Sequence, residues 1–181
     1  GPLIHIAETH DNNRLAAQGE TYARMRVALS ALLSHQGAFG IANGVEWFAT
    51  EKIDVHGAPA LNWDAPSHQI DALARLNTLL ATHPAFGPGT HLSLAHLGDG
   101  AVIAVLRETP GSDHLLVAVN FDCKHAQTVR WNTQAFHAPV VWDLLTGEAF
   151  SLSAGGELHL GRGRVCCLTR RSEDIQAADP A

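Results

Sequence analysis

The chain has 181 residues and a mass of 19.3 kDa, is 46% hydrophobic and only 17% charged, which excludes a disordered, collagenous or low-complexity protein. No uncharged apolar run reaches the roughly 18 residues of a membrane-spanning helix, and the richest stretch, 27–47, is broken by Ser34, His35, Gln36 and Asn43. A net charge of −6, with 12 Lys and Arg spread thinly, argues against nucleic acid as a partner.

Gly1 and Pro2 read as the remnant of a cleaved tag and are set aside; no secretory signal is read at the start. Residues 3–7 form a short apolar strand candidate that runs into a polar cluster, 8–14. Residues 20–35 read as a helix, with Tyr22, Met25, Leu29, Leu32 and Leu33 on one broad stripe. The Gly-punctuated apolar stretch 37–48 predicts a second buried strand starting near Ala38. A polar loop with Gly57 and Pro59 follows and carries Trp63 and Asp64. Ser67 is the predicted N-cap of a helix running to Leu80, with Ile70, Leu73, Leu76 and Leu80 inward and Pro84 stopping it.

Beyond Pro88 the apolar residues alternate between turn signals, as an antiparallel sandwich requires. The strand candidates are 91–97, 101–107, 114–121, 127–131, 140–144, 149–152, 157–160 and 164–169, with turns at 98–100, 110–112 and 155–156. The predicted architecture is thus an α/β fragment followed by an all-β part. Residues 3–88 form a βαβα unit, 89–171 an antiparallel Greek-key sandwich and 172–181 a disordered polar tail. Two strands read as continuous apolar runs belong in a parallel sheet covered on both faces. A βαβα unit alone leaves their edges unpaired, so it reads as a slice of a larger sheet.

Chemistry concentrates in Glu8-Thr9-His10-Asp11-Asn12-Asn13-Arg14, at the C-terminal end of the first strand. In α/β barrels that end carries the active site. An imidazole, a carboxylate, two amides and a guanidinium suit recognition of sugar hydroxyls. A helix-capping loop, with Asp11 or Asn13 as N-cap, is the competing reading.

These residues resemble the fourth signature region of the α-amylase family of glycoside hydrolases and transferases, through His10, Asp11 and Arg14. In that family the region follows the seventh strand of a (β/α)₈ barrel. Residues 38–48, ending Asn43-Gly44-Val45-Glu46-Trp47-Phe48, resemble the eighth strand. Leu61-Asn62-Trp63-Asp64 resembles the Trp-Asp segment of the loop after it, and 74–84 the eighth helix. Residues 117–121 and Trp142-Asp143-Leu144-Leu145-Thr146-Gly147-Glu148 are similar to strands of the family's C-terminal β-sandwich. Two departures stand out: Thr9 replaces the usual Asn, and Ser34-His35-Gln36-Gly37 replaces the common Pro-Gly-Thr-Pro entry to the eighth strand.

The resemblance implies a partial (β/α)₈ barrel plus sandwich, acting on α-1,4-glucans or maltooligosaccharides with retention through a glycosyl-enzyme intermediate. By match, Asp11 is the third, transition-state-stabilising carboxylate and His10 a donor to the same sugar. Arg14 takes a supporting or adjacent sugar-contact role. The nucleophile and general acid belong to the fourth and fifth barrel strands, which these residues do not include, so no turnover is expected of the isolated chain. Its open strands are expected to rearrange, swap or self-associate. A non-catalytic carbohydrate-binding or structural sandwich module is the alternative.

No cofactor and no metal site is read. The twelve histidines lack ligand spacing, and His91 and His96 are placed on opposite faces of one strand. Trp63 stands at the presumed rim, either as a sugar platform or as packing; Trp47, Trp131 and Trp142 read as core. Glu46 reads as a structural carboxylate binding backbone amides. Gly161-Arg162-Gly163-Arg164 reads as a turn. Cys123, Cys166 and Cys167 make no disulfide framework, and the adjacent pair points to opposite faces of a strand. Reduced thiols, and the likeness to glycogen-metabolism members, predict a cytoplasmic setting.

Overall fold

The structure, a computed structural model, describes residues 3–54, 57, 61–153 and 155–180; Pro59 lies outside them. The first apolar run yields a strand of only two residues, β1 (His5–Ile6), then a 3₁₀ turn (Leu15–Gln18) and helix α1 (Glu20–Leu32). The second is shorter still than its sequence suggests. Of residues 38–48 only β2 (Phe39–Gly40) is strand, paired parallel to β1, and 43–48 are turns. A barrel strand is defined by neighbours on both sides. With one neighbour each, β1 and β2 hold a two-residue ladder and leave Leu3, Ile4, Ile6 and Ile41 exposed.

Helix α2 (Ile70–Thr82) starts three residues after Ser67, whose hydroxyl donates instead to Glu20 at 2.6 Å. Leu73, Leu76 and Leu79 face inward, whereas Ile70 is exposed. His83 and Pro84 end the helix as expected, with the His83 ring accepting the Ala85 amide.

The β-rich part contains β3 (His91–Leu94), β4 (His96–Leu97), β5 (Val102–Glu108), β6 (Leu115–Asn120), β7 (Gln127–Trp131), β8 (Val140–Asp143), β9 (Ala149–Ser151), β10 (Glu157–Leu160) and β11 (Val165–Thr169). They form an antiparallel six-stranded sheet, β3-β5-β6-β11-β8-β9, and a three-stranded sheet, β10-β7-β4. The predicted strand 91–97 is in fact two. The chain changes sheet at Ala95, whose amide donates to Ala104 of β5 and whose carbonyl accepts from Asn132, just beyond β7. His91 and His96 therefore lie in different sheets rather than on two faces of one strand.

Every residue of β6 and β11 is buried, because the large sheet is the middle of three layers. Leu115, Val117, Val119, Val165 and Cys167 pack against α1 and α2. Leu116, Ala118, Cys166 and Leu168 pack against Val129, Trp131, Leu158 and Leu160 of the small sheet. Cys166 and Cys167 thus do face opposite ways, and burial pushes both thiols up out of the reactive range.

Arg107 joins the two parts of the chain. It is buried on β5, donates to the carbonyls of Leu32 at 2.7 Å and Ala85 at 2.9 Å, and stacks 4.1 Å over the Phe86 ring. Burial lowers its pKa to about 10.

The segment 172–180 lies back against the helices. It forms a short helix, α3 (Asp174–Ala177), and Ala178 is fully buried. Asp174 accepts from Thr169 at 2.6 Å and lies 3.6 Å from His83, and Asp179 lies 3.4 Å from Arg75.

Candidate functional site

The loop after β1 divides into a solvent-facing part and a buried part. His10 and Asp11 are exposed, with Nε2 and Oδ2 3.4 Å apart. Three residues on, the Arg14 side chain has no accessible surface in this structure. Its Nε donates to Glu8 Oε1 at 2.6 Å and its Nη2 to the Asn43 carbonyl at 2.9 Å. The second Glu8 oxygen accepts the Leu15 amide at 2.6 Å, at the start of the 3₁₀ turn. Glu8 and Arg14 therefore staple the two ends of the loop together, and Arg14 ties it to the loop after β2. A charge-assisted pair whose carboxylate is also hydrogen-bonded holds such a loop in one geometry.

Sequence reading placed Glu8 in the polar cluster without giving it this role. Its signal was a carboxylate at the strand terminus, six residues before an arginine.

The loop after β2 is shaped to receive that guanidinium. Gly44 has φ +89°, and a Cβ there would lie 3.3 Å from Arg14 Nη2, 2.9 Å from Ala49 and 3.1 Å from Leu61. Glu46 Oε2 accepts the Gly44 amide at 3.0 Å, the structural role expected of it. Phe48, Asn62 and Asp64 also have positive φ, a concentration of strain of the kind found in binding loops. Asn62 donates to the Trp47 carbonyl at 2.7 Å, and Trp47 packs edge-on against His68. Beside Asn62, Trp63 is 60% exposed and presents a free aromatic face.

Of the sandwich tryptophans, Trp131 is fully buried, with its indole N–H on the Phe136 carbonyl, and Trp142 is half-buried. Among the described residues no three His, Cys, Asp or Glu side chains cluster as a metal site would require, and no helix is long and apolar enough to cross a membrane.

A polar loop pair at the C-terminal ends of parallel strands is where α/β-barrel proteins carry their sites. No family model matches the chain. It is 30% identical over 168 residues to an α-1,4-glucan:maltose-1-phosphate maltosyltransferase from Cereibacter sphaeroides, covering 81% of this chain and 24% of that protein. Its fold matches an α-amylase from Malbranchea cinnamomea with a TM-score of 0.68 at 20% identity, over 92% of this chain and 37% of that one. AmyP, solved in complex with maltose, matches with a TM-score of 0.63 at 18% identity, over 82% of this chain and 34% of that one. The chain is similar to the C-terminal region of α-amylase-family proteins, the end of the barrel and the β-sandwich. It spans about a quarter of the length of the maltosyltransferase.

Proposed function

We propose that these residues form part of a retaining enzyme acting on α-1,4-glucans, in which Asp11 and His10 bind hydroxyls of the sugar next to the bond being broken. The observation that carries this reading is the Glu8–Arg14 staple, which fixes the intervening loop while leaving Asp11 open to solvent. The substrate class rests on the relatives: a maltosyltransferase named for α-1,4-glucan and maltose-1-phosphate, and neighbours solved with maltose and maltotriose. Transfer rather than hydrolysis is the favoured reaction on the same ground. The nucleophile and general acid would stand on barrel strands outside these residues, so the 181 residues alone give no turnover. Arg14 Nη1, buried without an acceptor among the described residues, is the kind of group that a further barrel strand would satisfy. Trp63 serves as a stacking face for a sugar ring, and cytoplasmic glucan metabolism is the setting proposed.

The test is Asp11→Asn in the natural-length protein, assayed for maltosyl transfer to maltooligosaccharides. Hydroxyl contacts that tighten in the transition state contribute several kcal/mol, so turnover should fall roughly a hundredfold or more. Unchanged turnover would remove Asp11 from the site.

A further inference from the structure

Away from the loops after β1 and β2, the helices meet the sandwich around a cavity of about 360 Å³, within the range of small-molecule sites. Its apolar surface comes from residues such as Met25, Ala28 and Leu76, and Arg24, Arg162 and Arg164 line it as well. Among the described residues no carboxylate lines it, although the chain carries 18 Asp and Glu against 12 Lys and Arg; Asp71 and Asp179 line the adjoining cavity that shares Arg24. The three cations are not equivalent. Arg164 is held by Asp143 and Glu148, each at 3.0 Å, and is thereby neutralised. Arg24 donates to the His68 carbonyl at 2.7 Å and lies 4.5 Å from the Phe48 ring centre, with no carboxylate partner. Arg162 is exposed and makes no hydrogen bond or ion pair among the described residues.

The turn that carries Arg162 is nevertheless fixed. Gly163 has φ +59°, and a Cβ there would fall 2.5 Å from Thr21 of α1, so its backbone is pressed against the helix. Two uncompensated guanidinium groups beside an apolar floor recognise a phosphate head on a hydrophobic body, because the planar forks match phosphate oxygens.

We propose that this cavity binds a small organic phosphate, its head on Arg162 and Arg24 and its body on Met25, Ala28 and Leu76. The site is also joined to the glucan loops. Gln69 lines the cavity and donates to the Val45 carbonyl at 2.7 Å, while its amide donates to Glu46 at 2.9 Å. Gln69 thus gives the cavity a direct hydrogen-bonded link to the loop after β2, the route by which an occupant would act on that loop.

The probe is phenyl phosphate, titrated into the 181-residue chain by calorimetry and followed by amide chemical shifts. Saturable binding is expected, with shifts at Gly163 and Leu145 spreading to residues 45–48. Arg162→Gln, at a side chain that holds nothing in place, should weaken binding about tenfold, the size of one lost charge-assisted hydrogen bond. Ala72→Leu, at an exposed lining position, should block the cavity and abolish binding without disturbing the core. Absence of saturation, equal binding by both variants, or shifts confined to His10 and Asp11 would each overturn the assignment.

Discussion

The sandwich and the barrel end both fix a loop with a buried carboxylate, but they differ in what surrounds it. In the sandwich, fully buried Asp143 accepts the Leu145 and Cys167 amides, the Thr146 hydroxyl and Arg164, beside strands covered on both faces. In the barrel end, Glu8 accepts only Arg14 and the Leu15 amide, beside two strands of two residues whose apolar neighbours remain exposed. The sandwich carboxylate is held by four partners beside strands covered on both faces, one of those faces by α1 and α2, whereas the loop after β1 hangs on Glu8, Arg14 and two backbone contacts beside a two-residue ladder. That difference is why the candidate chemistry lies in the less supported region: loops that bind ligands are drawn from the low-stability end of a fold.

The largest effects should separate the two regions. Trp131→Ala removes a fully buried ring and should cost about 3–5 kcal/mol, read as loss of the main thermal transition. Arg14→Ala breaks a buried pair, also on the order of 3–5 kcal/mol, but the loss should fall on the loops after β1 and β2. Near-ultraviolet dichroism of the sandwich tryptophans, Trp131 and Trp142, should persist in Arg14→Ala; if it collapses, the two regions are one cooperative unit.

Gly44→Ala sharpens the same point on a smaller scale. A positive φ and contacts at 2.9 and 3.1 Å predict about 1–3 kcal/mol, detectable as easier proteolysis of the loop after β2.

The tail supplies a pH handle. His83 accepts the Ala85 amide and is buried, and burial lowers its pKa below the ordinary 6.5 despite the opposing pull of Asp174. The neutral ring is therefore the folded form: its contribution is complete above about pH 6.5 and is lost as pH falls towards the folded-state value. Thermal melting should show a drop between pH 7.5 and 5.5 that is reduced in His83→Gln. The smallest stability effect is expected of Trp63→Ala, within about 0.5 kcal/mol, yet maltooligosaccharide binding by the natural-length protein should weaken.

The strands of the sandwich were legible because alternation and glycine turns report local geometry; 127–131 and 157–160 match to the residue. What alternation does not encode is which sheet a strand joins, so the change of sheet at Ala95 was invisible. The stretch 38–48 reads as a strand because it is apolar, but positive φ at Gly44 and Phe48 and the lack of a second neighbour break the ladder after Gly40. Of the candidate site, the exposure of His10, Asp11 and Trp63 is what polar loop segments lead one to expect. The burial of Arg14 was not legible, since it depends on Glu8 and the Asn43 carbonyl meeting in space. Ile70 was placed inward because the helix was started at Ser67; with Ser67 engaged by Glu20, the helix starts at Ile70 itself. The contacts of Asp174 with His83 and Thr169 were not legible either, since they join residues far apart in the chain or around a turn.

The most direct test is amide hydrogen exchange on the 181-residue chain. The account predicts slow exchange across β6 and β11 and fast exchange at His5, Ile6, Phe39 and Gly40, with the fast set slowed in the natural-length protein. Equal protection of both sets in the isolated chain would contradict it, because the two-residue ladder of β1 and β2 would then be as well supported as β6 and β11.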